Sequence, residues 1–192
     1  MRSEHSTQKM DDRPARILLK RAEIQERIRS LGEQITLEMK GLTPCIMPIL
    51  DGGMIFTSDL IRQISLPITL LPIKASSYGQ ERVSSGRLEL PLGVSPLARD
   101  QDVLLVDDIL DTGLTLTTLY SSLLAAGARS VRTCVLLRKQ HAVHLHADYI
   151  GFDIPNEFVV GYGLDHAGHH RNLPDIRCLE TRKNPKPLNQ SS

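Results

Sequence analysis

Residues 103–115 read Val-Leu-Leu-Val-Asp-Asp-Ile-Leu-Asp-Thr-Gly-Leu-Thr, an apolar run leading straight into two adjacent carboxylates and then a short polar turn. Four consecutive apolar residues suit a parallel strand covered on both faces, and such sheets bind ligands beyond the carboxyl ends of their strands. Asp107 and Asp108 stand at that end. Neighbouring carboxylates can accept hydrogen bonds from two hydroxyls of one ribose. The following Asp111-Thr112-Gly113-Leu114-Thr115 offers backbone N–H groups, two hydroxyls and the start of a helix, which together favour a phosphate dianion. A sugar phosphate satisfies both halves. The plainer alternative is an acidic loop that only caps a helix, with Asp111 or Thr112 as N-cap. The apolar strand in front and Asp-Thr-Gly-x-Thr behind favour the ligand.

Other segments carry weaker signals when taken singly. Leu50-Asp51-Gly52-Gly53 sits at another strand end, where two glycines permit close backbone approach to a ligand, although an ordinary strand-to-helix turn has the same composition. Ser76–Gly86 has almost no apolar content, which by itself describes a solvated loop. Lys139 follows an apolar strand, a common place for a surface lysine. By periodicity alone Phe158 is a core strand residue. His166, His169 and His170 lack the Glu-flanked helical spacing of a zinc site.

Positioning these groups requires alternating elements. Ile24, Ile28, Leu31 and Ile35 recur at helical spacing with Glu23, Glu26, Arg27 and Glu33 on other faces, predicting an amphipathic first helix. Strands are expected at 45–50, 103–106, 131–137, 149–152 and 158–162, extended segments at 68–74 and 87–91, and helices over about 54–63 and 113–126. Strand, helix, strand in succession implies right-handed crossovers and a mostly parallel sheet. At 192 residues the chain suits one core, expected over 14–182, with residues 1–13 and 183–192 as polar tails. Lys and Arg number 23 against 22 Asp and Glu, so no broad basic face for nucleic acid is expected. Cys45, Cys134 and Cys178 are odd in number and widely spaced, as reduced thiols of a cytoplasmic protein would be. No run approaches membrane-spanning length, so no membrane partner is expected.

Residues 103–115 resemble the phosphoribosyl pyrophosphate motif of type I phosphoribosyltransferases. The segment Asp153-Ile-Pro-Asn-Glu-Phe-Val-Val-Gly-Tyr-Gly-Leu-Asp165 is similar to the purine-facing segment of the hypoxanthine-guanine branch, and the resemblance spans about residues 17–176. It implies an α/β fold, a mainly parallel twisted sheet flanked by helices, with a small hood built from N- and C-terminal parts. It implies that Asp107 and Asp108 position ribose, that Asp111 to Thr115 hold its 5′-phosphate, and that Asp111 acts as general acid/base at purine N7, with a pKa that a closed site can raise. Asp51 and Gly52, preceded by a characteristically cis peptide at Leu50–Asp51, would face pyrophosphate together with Arg171. Families often carry Lys where this chain has Asp51, so backbone donors would act there. Lys139 would donate to a 6-oxo group, Phe158 would stack on the base, and Val159 would offer backbone groups to its edge. Ser77 and Tyr78 would belong to a loop that closes over the substrates.

The same resemblance implies Mg²⁺ held by Asp165, with Asp107 and Asp108 as further oxygen donors, and a homodimer or homotetramer. The relatives commonly carry an aromatic or acidic run where this chain has His-Ala-Gly-His-His between Asp165 and Arg171. The implied reaction transfers phosphoribose from phosphoribosyl pyrophosphate to hypoxanthine or guanine. Two alternatives are a ligand-sensing regulator on the same fold, which would need a DNA-binding extension, and a transferase for adenine or pyrimidines, against which Lys139, Phe158 and Asp165 argue.

Overall fold

The computed structural model describes residues 14–74 and 97–179. The central sheet is parallel and runs β3-β2-β5-β6-β7, formed by Thr69–Leu70, Cys45–Leu50, Asp102–Leu110, Ser130–Lys139 and Tyr149–Ile154. A short β4, Ile73–Lys74, pairs with the far end of β2. The single extended segment expected over 68–74 is thus two short strands. Pro72 lies between them, and a residue without an N–H cannot continue the ladder.

Side chains along β5 alternate, as the two-residue period of a strand demands. Leu104 and Val106 pack into a core with helix α1 (Arg21–Glu38) and helix α2 (Gly53–Leu60), while Val103 and Leu105 pack with helix α3 (Leu114–Ala125) on the opposite face. The expected stripe Ile24, Ile28, Leu31 and Ile35 is buried in the first core. The second predicted helix gives way after Leu60 to one 3₁₀ turn, Ile61–Gln63. Arg27 on the polar side of α1 donates to the carbonyls of Ile150 (2.7 Å) and Gly151 (2.9 Å), tying the helix to the last strand of the sheet.

The strand order decides where a ligand can sit. From the neighbours β2 and β5 the chain crosses outward in opposite directions, and like-handed crossovers then place α2 and α3 on opposite faces. The turns leaving β2 and β5 therefore splay apart, opening the crevice where open α/β sheets bind their ligands.

A second, antiparallel sheet, β1-β9-β8, joins Pro14–Leu19, Ile176–Leu179 and Val159–Val160. This is the small hood of N- and C-terminal parts. Its strands β1 and β9 are not apparent from periodicity, and the strand expected over 158–162 shortens to two residues. No helix among the described residues is long and apolar enough to cross a membrane. The predicted extended segment at 87–91, Ser77, Tyr78 and the loop around them, and the terminal tails lie outside the described residues.

Candidate active site

Strand β5 continues through Asp107 and Asp108 to Leu110, rather than ending at Val106 as the apolar run alone suggests. Pairing with β2 stops at Pro48 and Val106, whereas pairing with β6 persists to Leu110 and Arg138. The two carboxylates therefore lie where β2 peels away, facing the crevice on one side and held by β6 on the other. Asp107 accepts the Asp108 backbone N–H at 3.0 Å. Burial, and then the neighbouring Asp108 charge, push the Asp107 carboxyl well above its ordinary pKa. Burial also raises Asp108, while hydrogen bonds from Asp107 and from backbone N–H groups, and the Arg171 charge, pull the other way. A crowded pair short of donors suits sugar hydroxyls or a cation.

Opposite stands the turn after β2. The Leu50–Asp51 peptide is cis, as the resemblance implies, and Asp51 itself is exposed. A Cβ on Gly52 would overlap the Asp108 carboxylate, and one on Gly163, at φ +103°, would overlap the Gly52 carbonyl. The Gly52 peptide is thus sandwiched between the acidic strand and residue 163. A 280 Å³ cavity opens here, lined by Leu50, Gly52, Asp107, Asp108, Thr115, Asp165 and Arg171 among others. At its α3 side, Gly113 adopts φ +76° as the residue before the helix, and its Cα faces the Leu145 side chain, so only glycine fits both the turn and the packing. Thr112 Oγ1 lies 3.4 Å from the Leu114 N–H. The first intrahelical bond is Thr117 N–H to Gly113 O at 2.9 Å, which leaves the N–H groups of the first turn directed out of the helix.

Arg171 donates to the Gly163 carbonyl at 2.6 Å and to Asp165 Oδ1 at 2.7 Å, while Asp165 Oδ2 accepts the Gly168 N–H at 2.7 Å. The unusual His-Ala-Gly-His-His run explains this approach. His166 and His169 exchange backbone hydrogen bonds, and Ala167 and Gly168 both have positive φ, the signature of a two-residue hairpin turn. The hairpin returns Arg171 to Asp165.

A second cavity of 180 Å³ is lined by Asp108, Ile109, Asp111, Lys139, Phe158, Val159, Leu164 and Asp165. Phe158, which periodicity places in the core, is 45% exposed and meets His166 edge-on, with ring centroids 5.2 Å apart. Its neighbour Val159 is the one that is buried. Lys139, the last residue of β6, is 2.8 Å from Asp111 Oδ2. His141 Nε2 lies 2.7 Å from Asp111 Oδ1. Burial pushes the Asp111 carboxyl up, but the hydrogen bonds and charges of Lys139 and His141 outweigh it and leave the group below its ordinary value. Lys139 and His141 share its oxygens in this arrangement, whereas the rise expected of Asp111 belongs to a closed site.

The phosphoribosyl transferase domain family matches residues 16–167. The hypoxanthine-guanine phosphoribosyltransferase of Mycobacterium tuberculosis strain H37Rv is 40% identical over 174 residues, covering 86% of each chain. This chain belongs to the hypoxanthine-guanine phosphoribosyltransferase family. A crystal structure of a member from Bacillus anthracis superposes with a TM-score of 0.75 at 34% identity, covering 88% of this chain and 99% of that one. The chain also spans 26% of the length of the Listeria monocytogenes bifunctional protein TilS/HprT, at 39% identity.

Among the candidates, Gly52, Asp107, Asp108, Thr115, Asp165 and Arg171 line the first cavity, and Asp111, Lys139, Phe158 and Val159 join Asp108 and Asp165 in the second; Asp51, Thr112, Gly113 and Leu114 line neither. Two further residues emerge that the sequence reading omits, His141 and Asn156. Asn156 Oδ1 accepts the His141 backbone N–H at 3.1 Å and lies 2.7 Å from its Nδ1. The only sequence signal for His141 is its place two residues beyond Lys139.

Proposed function

We propose that the chain transfers phosphoribose from phosphoribosyl pyrophosphate to N9 of a 6-oxopurine, hypoxanthine or guanine, and releases pyrophosphate. It is a purine-salvage phosphoribosyltransferase. The observation that carries this reading is the pairing of the two cavities, which share Asp108, Ile109 and Asp165 as a common wall. One has carboxylates, glycine backbone and an arginine for a phosphorylated sugar. The other has an aromatic face, a lysine and backbone groups for a flat, oxo-bearing base. The new glycosidic bond would form where they meet.

Asp107 and Asp108 accept the ribose hydroxyls, and the turn from Asp111 to Thr115 takes the 5′-phosphate. The Gly52 backbone and Arg171 receive the charge that develops on departing pyrophosphate. Phe158 stacks on the base and Lys139 donates to its 6-oxo oxygen, exchanging its partner Asp111 for the substrate. Asp111 then accepts the proton from N7. Asp107, Asp108 and Asp165 are hard oxygen donors. They line one cavity with Arg171 and would hold Mg²⁺ together with substrate phosphates. When bound, the ion neutralises phosphate charge.

The test is pyrophosphate release from phosphoribosyl pyrophosphate and Mg²⁺ with each purine and pyrimidine base in turn. Release with hypoxanthine or guanine, and not with adenine or uracil, is expected. Release only with adenine or a pyrimidine overturns the assignment of the base.

A further inference from the structure

We propose that His141 takes up, through Asp111, the proton that the purine loses at N7 as its N9 bonds to ribose. This inference rests on the transferase reading above and adds a residue to it. His141 does not touch the substrate; it acts through Asp111.

The ring is held in one orientation. Asn156 Oδ1 accepts the His141 backbone N–H, so the oxygen and not the amide nitrogen faces His141, and Nδ1, 2.7 Å from that same oxygen, carries a hydrogen. Only Nε2 is then left to gain or lose a proton, and it points at Asp111 Oδ1 from 2.7 Å. A hydrogen bond between these two atoms takes one proton, because each otherwise presents only a lone pair. The ring meets Asp111, from the turn before α3, and the uncharged Asn156, from the segment after β7. Lys139 sits on the far side of the Asp111 carboxylate.

A carboxylate such as Asp111 is by itself a poor resting place for a proton near neutrality. An imidazole holds a proton better near neutrality, with reference values of about 6.5 for histidine against about 3.9 for aspartate. The His141 side chain is 45% exposed, so water can reach it between turnovers.

The step balances. N9 bonds to C1′ of the ribose, and the C1′–O bond to pyrophosphate breaks with its electron pair on the departing oxygen. The N7–H pair returns to the purine ring, the proton passes to Asp111 Oδ1, and Oδ1 hands it to Nε2. His141 then releases it to water. Nucleotide synthesis therefore starts with no proton between Oδ1 and Nε2, and the reverse reaction, pyrophosphorolysis, starts with one in place. Opposite pH dependences follow: the forward rate climbs as pH rises through the imidazole range, and the reverse rate falls.

The experiment compares kcat in both directions over about pH 5.5–8.5 for wild type and His141→Gln, whose amide still donates to Asp111 but accepts no proton. Expected are opposed slopes in wild type, flattening of both in the variant, a forward kcat lowered about ten- to a hundredfold, and a KM for phosphoribosyl pyrophosphate within about twofold. His141→Ala, in which the ring is simply absent, should recover part of its turnover with added imidazole. Wild-type slopes in His141→Gln, or no response of His141→Ala to imidazole, overturns the proposal. A wild-type enzyme silent with every 6-oxopurine brings down the transferase reading and this inference with it, an outcome distinct from an active wild type with an equally active variant.

Discussion

Gly52 and Asp108 touch so closely that one methyl group on the glycine would occupy the space of the aspartate carboxylate. Gly52 has helical φ and ψ, −62° and −48°, which alanine adopts freely, so the requirement is purely steric. Gly52→Ala must displace Asp108 or the turn, at about 1–3 kcal/mol for overpacking. The protein should still fold, with a lowered Tm, while kcat/KM for phosphoribosyl pyrophosphate falls by about a hundredfold or more. Steady-state kinetics beside a melting curve separates the two effects, and wild-type kinetics in this variant would show that Asp108 can move aside at no cost to function.

Asp111→Asn keeps the shape of the side chain, and its amide oxygen can still accept from Lys139, but it cannot take up a proton. Turnover should drop by about 10²–10⁴-fold, with phosphoribosyl pyrophosphate binding retained. Single-turnover rates with equilibrium binding on the same preparation provide the check. A rate within twofold of wild type, roughly the noise of such comparisons, removes Asp111 from the proton path.

Lys139→Ala takes away the amine that lines the purine cavity beside Asp111 and bonds its carboxylate. Losing one charged hydrogen bond costs roughly 1.5–3 kcal/mol, so KM for hypoxanthine and guanine should rise about 10- to 100-fold. Affinity for phosphoribosyl pyrophosphate should barely change, because its cavity is not lined by Lys139. Equal weakening of both substrates would instead point to a general disturbance of the strand end.

Tyr149 offers a test of the fold away from the active site. Burial pushes its hydroxyl up to about 12; its hydrogen bond to Glu38 adds to this, and Arg132 opposes it. A folded-state value above the ordinary one contributes stability that is whole below about pH 10 and disappears as pH climbs towards 12. Denaturant titrations of wild type and Tyr149→Phe should therefore show a stability difference that is steady up to about pH 10 and narrows above it. A difference that stays constant across this window would mean that the hydroxyl does not titrate differently in the folded and unfolded states.

Much of the site is legible in the sequence because its parts are local. An apolar strand, two carboxylates and Asp-Thr-Gly-x-Thr follow one another within 103–115, and the strand itself carries them to the sheet's edge of opening. Leu50–Gly53 and Asp165–Arg171 are equally self-contained turns, and the stripe of α1 shows its buried face by spacing alone. Local pattern fails where partners are distant. β1 is six residues beside a polar tail and becomes a strand only by pairing with β9, so that Arg16 reaches Cys178, 162 positions away. Phe158 has the composition of a core residue, yet β8 buries Val159 and Val160 and leaves the ring facing the cavity. Asp111 reads as a helix cap or a general acid/base, and only the side-by-side register of β5 and β6 brings Lys139 and His141 onto its oxygens. The residues able to do chemistry are thus written in the sequence. Their protonation and partners depend on neighbouring strands, because an electrostatic environment is set by distances across the sheet that no spacing along the chain encodes.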